Sequence, residues 1–354
     1  MRSELAPLVL NGSYGEGGAA SFRTALTMSA FTERSVRIHS IRGAKRKPGL
    51  WPEDLTFARM LGHSCGAKLI GDELGSNELT FSPKHWPRAL HAKFDIAEHE
   101  QGTVPGNALV ILESLLPVLA RTGKYSKVTL LGETHNLNTL SFDAWERSSL
   151  VAHRRQGIYV YPQLVAAGYG FGGRGEVVVE FEPSLPSGVD WRTRGELQHL
   201  TVVLTTSELA DSVAARGVQA AEDLMRDYRS VLSVESQPVR SRSPGAFVTI
   251  IAEFERGFGS STAMGARGVR MESVVEQAWA GLQSWMASEA TVDPYLADQL
   301  VIPALLATGP TTFKTSQITS RLLTQAWIIK QFMPIHLTIL GQEGGPGVVS
   351  IEPG

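Results

Sequence analysis

The sequence predicts an α/β (α+β) protein of three repeated β-α-β-α-β-β units around a shared core, with a small inserted α/β domain. Three observations carry that expectation. Residues 7–182 pass twice through the same order of strand-like and helix-like stretches, at a period of roughly 85 to 90 residues, too long for a solenoid repeat. Residues 294–352 read as a third, interrupted copy. Between them, residues 186–288 break the pattern.

The first unit opens with the apolar strand 7–10, which contains Leu8-Val9-Leu10. A helix over 21–32 follows, because Phe22, Leu26 and Ser29-Ala30 recur at helical spacing. Strand 35–40, helix 52–65 and strands 67–71 and 77–81 complete it. The second unit reads as strand 92–97, helix 106–121, strand 126–132, helix 141–156 and strands 157–162 and 175–182. Helix 106–121 is apolar nearly all round, which suits a central helix, and Pro117 is expected to kink it. The last copy has helix 294–307, strand 311–315, helix 319–332 and strands 334–340 and 347–352.

Within the insertion, LTVVLTT (200–206) and AFVTIIAEF (246–254) read as strands, and 208–228 and 271–288 as helices. SVESQPVRSRSPG (233–245) reads as a loop. The expected division is a core domain of 1–185 and 289–354 and a small domain of 186–288, set between the second and third units.

Composition narrows the function classes. With 354 residues and 43% hydrophobic content the chain can bury a large core. A net charge of −2 argues against a generally basic nucleic-acid coat, so any such contact must come from a local patch. The one cysteine, Cys65, lies in the apolar context LGHSCGAKL and reads as a small core residue in a reducing compartment. There is no apolar run of about 18 residues to span a membrane. The stretch MRSELAPLVLNGS lacks the apolar segment of a signal peptide. A soluble, cytoplasmic protein is expected.

Four motifs carry chemistry. NGSYGEGGAASFR (11–23) places Gly12, Gly15, Gly17 and Gly18 in a strand-to-helix turn, where glycine permits positive φ and close approach of the backbone to a ligand. The helix N-terminus behind it suits an anion. Glu16 is a candidate for a divalent metal or a ribose, and Arg23 for a phosphate. SIRGAKRKPGLWPEDL (40–55) brings Arg42, Lys45, Arg46 and Lys47 into one loop, a phosphate-binding patch or a solvated surface loop. In TVDPYLADQLVIPALLA (291–307), Asp293 suits an N-cap and Pro294 the first helical position. Tyr295, Asp298 and Gln299 then share a face that could hold a nucleotide. In KTSQITSRLLTQAWIIKQF (314–332), Thr319 or Ser320 caps a helix whose first turn holds Arg321. That is a poor place for a cation unless an anion joins it.

Taken together and in this order, these motifs resemble the RNA 3′-terminal phosphate cyclase family. NGSYGEGGAASFRTAL, SIRGAKRKPGL, the run from LLPVLA to LLGETHN, GYGFGGRGEV, DPYLADQL and RLLTQAWIIKQF carry the likeness, which covers nearly the whole chain. The resemblance implies three repeated units with an insertion. It also implies a reaction in which ATP and Mg²⁺ or Mn²⁺ adenylylate a histidine. AMP then passes to an RNA 3′-phosphate, and the neighbouring 2′-hydroxyl closes a 2′,3′-cyclic phosphate. By carry-over, Glu16, Gly17, Gly18, Tyr295, Asp298 and Gln299 are expected to bind nucleotide, with Glu16 also at the metal. Arg23, Arg42, Lys45, Arg46 and Arg321 are expected to meet RNA phosphate. RNA 3′ ends and ATP or AMP are the implied partners.

The sequence departs from that family at several points. The nucleophilic histidine opens the last helix in an HLLTN-like motif, and here RLLTQ puts Arg321 in its place. Arginine stays protonated and has no lone pair to give, so it binds phosphate without becoming adenylylated. Ala19-Ala20 stands where Gly-Gln is usual, Lys45 replaces an arginine, and Glu53 and Glu113 stand at places typical of glutamine. None of the nine histidines, His39, His63, His85, His91, His99, His135, His153, His199 and His336, falls at the family position. Three readings follow. One is a cyclase working by an altered route. The second is a non-adenylylating homologue that binds RNA or nucleotide. The third is a carboxyvinyl transferase, an enzyme of related fold.

Overall fold

The computed structural model describes residues 6–99, 106–137, 139–170 and 172–353. Of the expectations above, residues 1–5 and 354 at the domain ends and Phe171 in the glycine loop lie outside these.

The first unit runs β1 (Leu8–Asn11), α1 (Ala19–Thr32), β2 (Val36–His39), α2 (Pro52–Cys65), β3 (Lys68–Ile70) and β4 (Glu78–Ser82). Its sheet has the order β1-β2-β4-β3, with β1 and β2 parallel. The second runs β5 (His91–Asp95), α3 (Ala108–Ala120), β6 (Ser126–Gly132), α4 (Phe142–Ala144), a π-helical turn (Trp145–Ser149), α5 (Leu150–Arg155), β7 (Val160–Ala166) and β8 (Gly175–Phe181). Its order β5-β6-β8-β7, with β5 and β6 parallel, repeats the first.

The third unit begins earlier than expected. A two-residue strand, β9 (Asp190–Trp191), pairs in parallel with the strand at Thr311–Thr315. It is the unit's first strand, so the insertion interrupts the third unit after β9 and does not lie between units. Two residues are too few for periodicity to mark, and only the partner strand defines them. The insertion holds β10 (Leu197–Ser207), α6 (Asp211–Leu224), β11 (Leu232–Pro238), β12 (Gly245–Phe254), β13 (Gly257–Met264) and α7 (Met271–Met286), in the sheet order β11-β10-β12-β13. Here the loop expected over 233–245 is corrected. Most of its first half is β11, an edge strand parallel to β10 in which Pro238 is the last residue. Proline is tolerated there because an edge strand has one unpaired side. The chain then resumes the core with α8 (Pro294–Leu305), β14 (Thr311–Thr315), α9 (Ser320–Phe332), β15 (His336–Gly341) and β16 (Gly347–Glu352). The third sheet is β15-β16-β14-β9, the same order read backwards.

One apolar cluster runs through all three units, and α1, α2, α3, α8 and α9 pack on one another within it. In α3, ten of thirteen residues are buried, Pro117 among them, and the helix continues through that proline. Asn107 caps it by accepting from the Leu109 and Val110 N–H groups. The insertion has its own apolar cluster, built from β10, β12, α6 and α7. Cys65 is fully buried and gives its S–H to the Leu61 carbonyl, and burial pushes its thiol up to about 11. Among the described residues no helix is long and apolar enough to cross a membrane.

Candidate functional site

A cleft of about 880 Å³ opens where the three units and the insertion meet. Its cations come from α1, the β2–α2 loop and α9, and α8 lies beside them. The glycine turn delivers Glu16 to this side, with Gly17 at φ +58° and Gly18 as the N-cap of α1. The Gly18 N–H donates to Glu16 Oε2 at 2.9 Å, and Lys45 Nζ donates to Glu16 Oε1 at 2.9 Å. Both carboxylate oxygens are thus engaged from within the chain. Among the described residues no group of three or more His, Cys, Asp or Glu side chains is arranged to hold a metal ion.

Beneath this lies a group that reading along the chain missed. Asp54, fully buried in the first turn of α2, receives Arg23 Nη1 on Oδ1 at 3.0 Å and Arg42 Nη1 on Oδ2 at 3.4 Å. Glu53 lies 3.8 Å from the same Arg23 nitrogen and accepts the Asn107 N–H. Burial pushes the Asp54 carboxyl up to about 6, against the pull of Arg23 and Arg42 and with Glu53 adding to the rise. Arg42 is held at φ +54° with its guanidinium 4.0 Å from the centre of the Trp51 ring. A non-glycine residue in that region is strained, and the surrounding contacts must hold it there. Arg42 Nε is buried without a hydrogen-bond partner. Nothing along the chain said which cations Asp54 would join.

On α8, Asp293 caps the helix as expected, with Oδ1 accepting from the Tyr295 and Leu296 N–H groups. Its Oδ2 also accepts from Ser260 of the insertion. Tyr295, 69% exposed, lines the cleft together with buried Asp298 and half-buried Gln299. Thr319 is the residue that caps α9, and its hydroxyl donates to Asp298 Oδ1 at 2.8 Å. Arg321, the second residue of α9, lies 3.5 Å from Asp298 Oδ2. That carboxylate is the anion that makes a cation tolerable at a helix N-terminus. Burial pushes Asp298 up to about 7, opposed by Arg321 and Thr319 and reinforced by Asp293 and Glu16.

So Glu16, Arg23, Arg42, Lys45, Tyr295, Asp298, Gln299 and Arg321 line one cleft. Arg46 is exposed and is not part of that lining. Gly17 and Gly18 are buried and act through the turn that presents Glu16. Glu113, from α3, also faces the cleft, its carboxylate accepting from Trp145 Nε1 at 2.6 Å and paired with His153 Nε2 at 2.8 Å. No histidine of the described residues lines the cleft, and the His99 side chain lies outside them. The cation cluster and the orphaned Arg42 Nε, Gln299 Oε1 and Gln325 Oε1 fit a phosphate-bearing ligand with polar groups.

The family described as RNA 3′-terminal phosphate cyclase matches residues 14–339. An RNA 3′-terminal phosphate cyclase of Methylococcus capsulatus is 33% identical over 98% of this chain and 96% of its own. Those of Nostoc punctiforme and Sulfurisphaera tokodaii are each 32% identical, over 91% and 94% of this chain and 93% and 96% of theirs. Among solved structures, the enolpyruvyl transferase NikO from Streptomyces tendae aligns with 98% of this chain and 48% of its own, at 12% identity and a TM-score of 0.38. A likeness that slight carries no argument for the transferase reading. With the match spanning residues 14–339 and curated relatives at this identity over nearly their whole length, the chain belongs to the RNA 3′-terminal phosphate cyclase family.

Proposed function

We propose that this chain binds a nucleotide and an RNA 3′-phosphate end in the cleft without forming an enzyme–AMP intermediate. The observation that carries this is Arg321 at the mouth of α9, charge-paired with Asp298 and lining the cleft. A guanidinium there attracts a phosphate through a forked donor and offers no lone pair to attack one. Arg23 and Arg42 supply further cationic contacts, and Tyr295 and Gln299 a nucleotide-sized polar and aromatic surface. ATP is the nucleotide we assign, on family grounds.

The rival is a cyclase with a replacement nucleophile. Among the described residues, the side chain of the lining able to carry AMP on nitrogen after losing a proton is Lys45. Its Nζ is already engaged by Glu16 Oε1 at 2.9 Å. The test is incubation with ATP labelled at the α-phosphate, Mg²⁺ or Mn²⁺, and RNA ending in a 3′-phosphate, for wild type, Arg321→His and Lys45→Ala. The expected result is RNA binding by the wild type with no protein-bound AMP and no cyclic end. Labelled wild type that loses its label in Lys45→Ala would overturn the reading in favour of an altered route. Failure to bind either ATP or the RNA end would remove it altogether.

A further inference from the structure

Four consecutive residues, Trp51-Pro52-Glu53-Asp54, open α2. Trp51 is the N-cap, and Glu53 and Asp54 fall in the first turn, where a carboxylate suits the helix dipole. Asp54 does not line the cleft, and its side chain is fully buried. Both arginines that it holds do line the cleft. Each of its oxygens takes one guanidinium, Oδ1 that of Arg23 and Oδ2 that of Arg42. The contact runs through Nη1 in both cases, which leaves further N–H donors on each guanidinium.

Two cations drawn to one carboxylate repel each other, and the shared negative charge offsets that repulsion. Arg42 depends on the arrangement most. Its backbone sits at φ +54°, its guanidinium lies on the Trp51 ring at 4.0 Å, and its Nε has no hydrogen bond. A strained residue keeps its place only while its surroundings hold it. For Arg42 the start of α2 supplies two of those holds, the Trp51 ring and the Asp54 carboxylate.

We propose that Asp54 is a positioning residue for phosphate binding: it sets Arg23 and Arg42 side by side so that one phosphate meets both, and it does so without touching the ligand. An amide cannot replace it, because an amide offers one acceptor oxygen to the two guanidiniums and turns its own N–H groups towards the second. The proposal rests on the reading that an RNA 3′-phosphate enters the cleft. Charge alone predicts the opposite effect of neutralising Asp54. Removing a negative charge from beneath an anion site strengthens anion binding, whereas losing the position of two arginines weakens it.

The test uses the full chain and fluorescence anisotropy, with two labelled copies of one RNA that end in a 3′-phosphate or a 3′-hydroxyl. The ratio of the two affinities isolates the phosphate contribution, and general damage to the chain lowers both affinities together. The titrations are run at pH 8, where Asp54, raised by burial to about 6, is charged. Asp54→Asn is expected to lower the ratio about 3- to 10-fold. Arg42→Ala should lower it as well, and by less in the Asp54→Asn chain than in wild type, because Arg42 has already lost its place there. Asp54→Glu decides the matter should the Asn chain fail to fold, since it keeps the charge and moves it by one methylene; its ratio should also fall. A ratio that rises or holds in either Asp54 variant overturns the positioning role and leaves the phosphate reading standing. So does an Arg42→Ala loss of full size in the Asn chain. A wild type that binds both RNA ends equally removes the phosphate reading, and this one with it.

Discussion

Gly15 and Thr324 meet across the joint between the first and third units. The glycine sits at φ +61°, and a Cβ there would overlap the Thr324 hydroxyl. That hydroxyl accepts the Glu16 N–H at 2.8 Å across 308 residues of sequence and donates to the Ser320 carbonyl. The turn that presents Glu16 is therefore held by the helix that presents Arg321. Thr324→Val should keep the shape and remove the acceptor. We expect a loss of about 1–3 kcal/mol in denaturant unfolding, since a part-buried N–H is left unpaired. Affinity for nucleotide should fall with it. Unchanged stability and affinity would show that the joint does not position Glu16.

Asp54 tests the buried centre under the cleft. Asp54→Ala leaves Arg23 and Arg42 without their shared carboxylate, and removing one partner of a buried ion pair costs about 3–5 kcal/mol. Asp54→Asn, which keeps a hydrogen-bond acceptor, should cost clearly less. Urea unfolding of both variants decides it, and equal losses would mean that charge is irrelevant at this position.

Asp298 makes anion binding depend on pH. Its carboxyl, raised to about 7, is neutral below that value and charged above. Facing it are Arg321, Thr319, Asp293 and Glu16. As pH falls from 8 to 6 the Asp298–Arg321 pair lapses and the cleft gains positive charge. Sulfate, whose charge is constant over this range, should bind more tightly at pH 6, and Asp298→Asn should flatten the dependence. The stability effect has a definite sign. Between an ordinary carboxyl value and about 7 the folded chain holds a proton that the unfolded chain releases, so Asp298 lowers stability as pH rises through that window. Calorimetry at pH 6 and pH 8 should show the Asn variant gaining most at pH 8.

The insertion is fastened to the second unit through a buried contact. Thr205 on β10 donates to Asp143 Oδ2 at 2.7 Å, and His135 Nε2 lies 3.4 Å from the same oxygen. Thr205→Val should cost about 1–3 kcal/mol by leaving that carboxylate short of a donor. It should also increase hydrogen exchange along β10 and the π-helical turn. An exchange pattern identical to wild type would show that the insertion is held by its other contacts, such as Arg147–Glu235 and Arg155–Glu253.

The parts of the fold legible along the chain were those with strong local signals. Helices such as 52–65 and strands such as 126–132 and 311–315 match the structure at both ends. Their apolar spacing, caps and flanking turns are properties of neighbours in sequence. The elements that escaped are β9, β11 and β13. Each is defined by the strand it pairs with, and β9 is too short to show a period at all. The candidate site divides the same way. The residue types at Glu16, Arg23, Arg42, Tyr295, Asp298 and Arg321 were readable, because a glycine turn, a basic loop and two capped helix starts mark themselves. Asp54 and Thr324 were not, because acids and threonines are common and acquire meaning only from what faces them.

By itself, then, the sequence determined the repeated order of strands and helices, the left-handed glycine turn and the arginine that stands at the start of the last helix. Those follow from backbone sterics, periodicity and side-chain chemistry, which act over a few residues. The tertiary structure alone decided that Lys45 takes Glu16, that Arg23 and Arg42 share Asp54, and that Arg321 takes Asp298. Charges pair by distance in space, and only the packing of three units and an insertion around one cleft sets those distances.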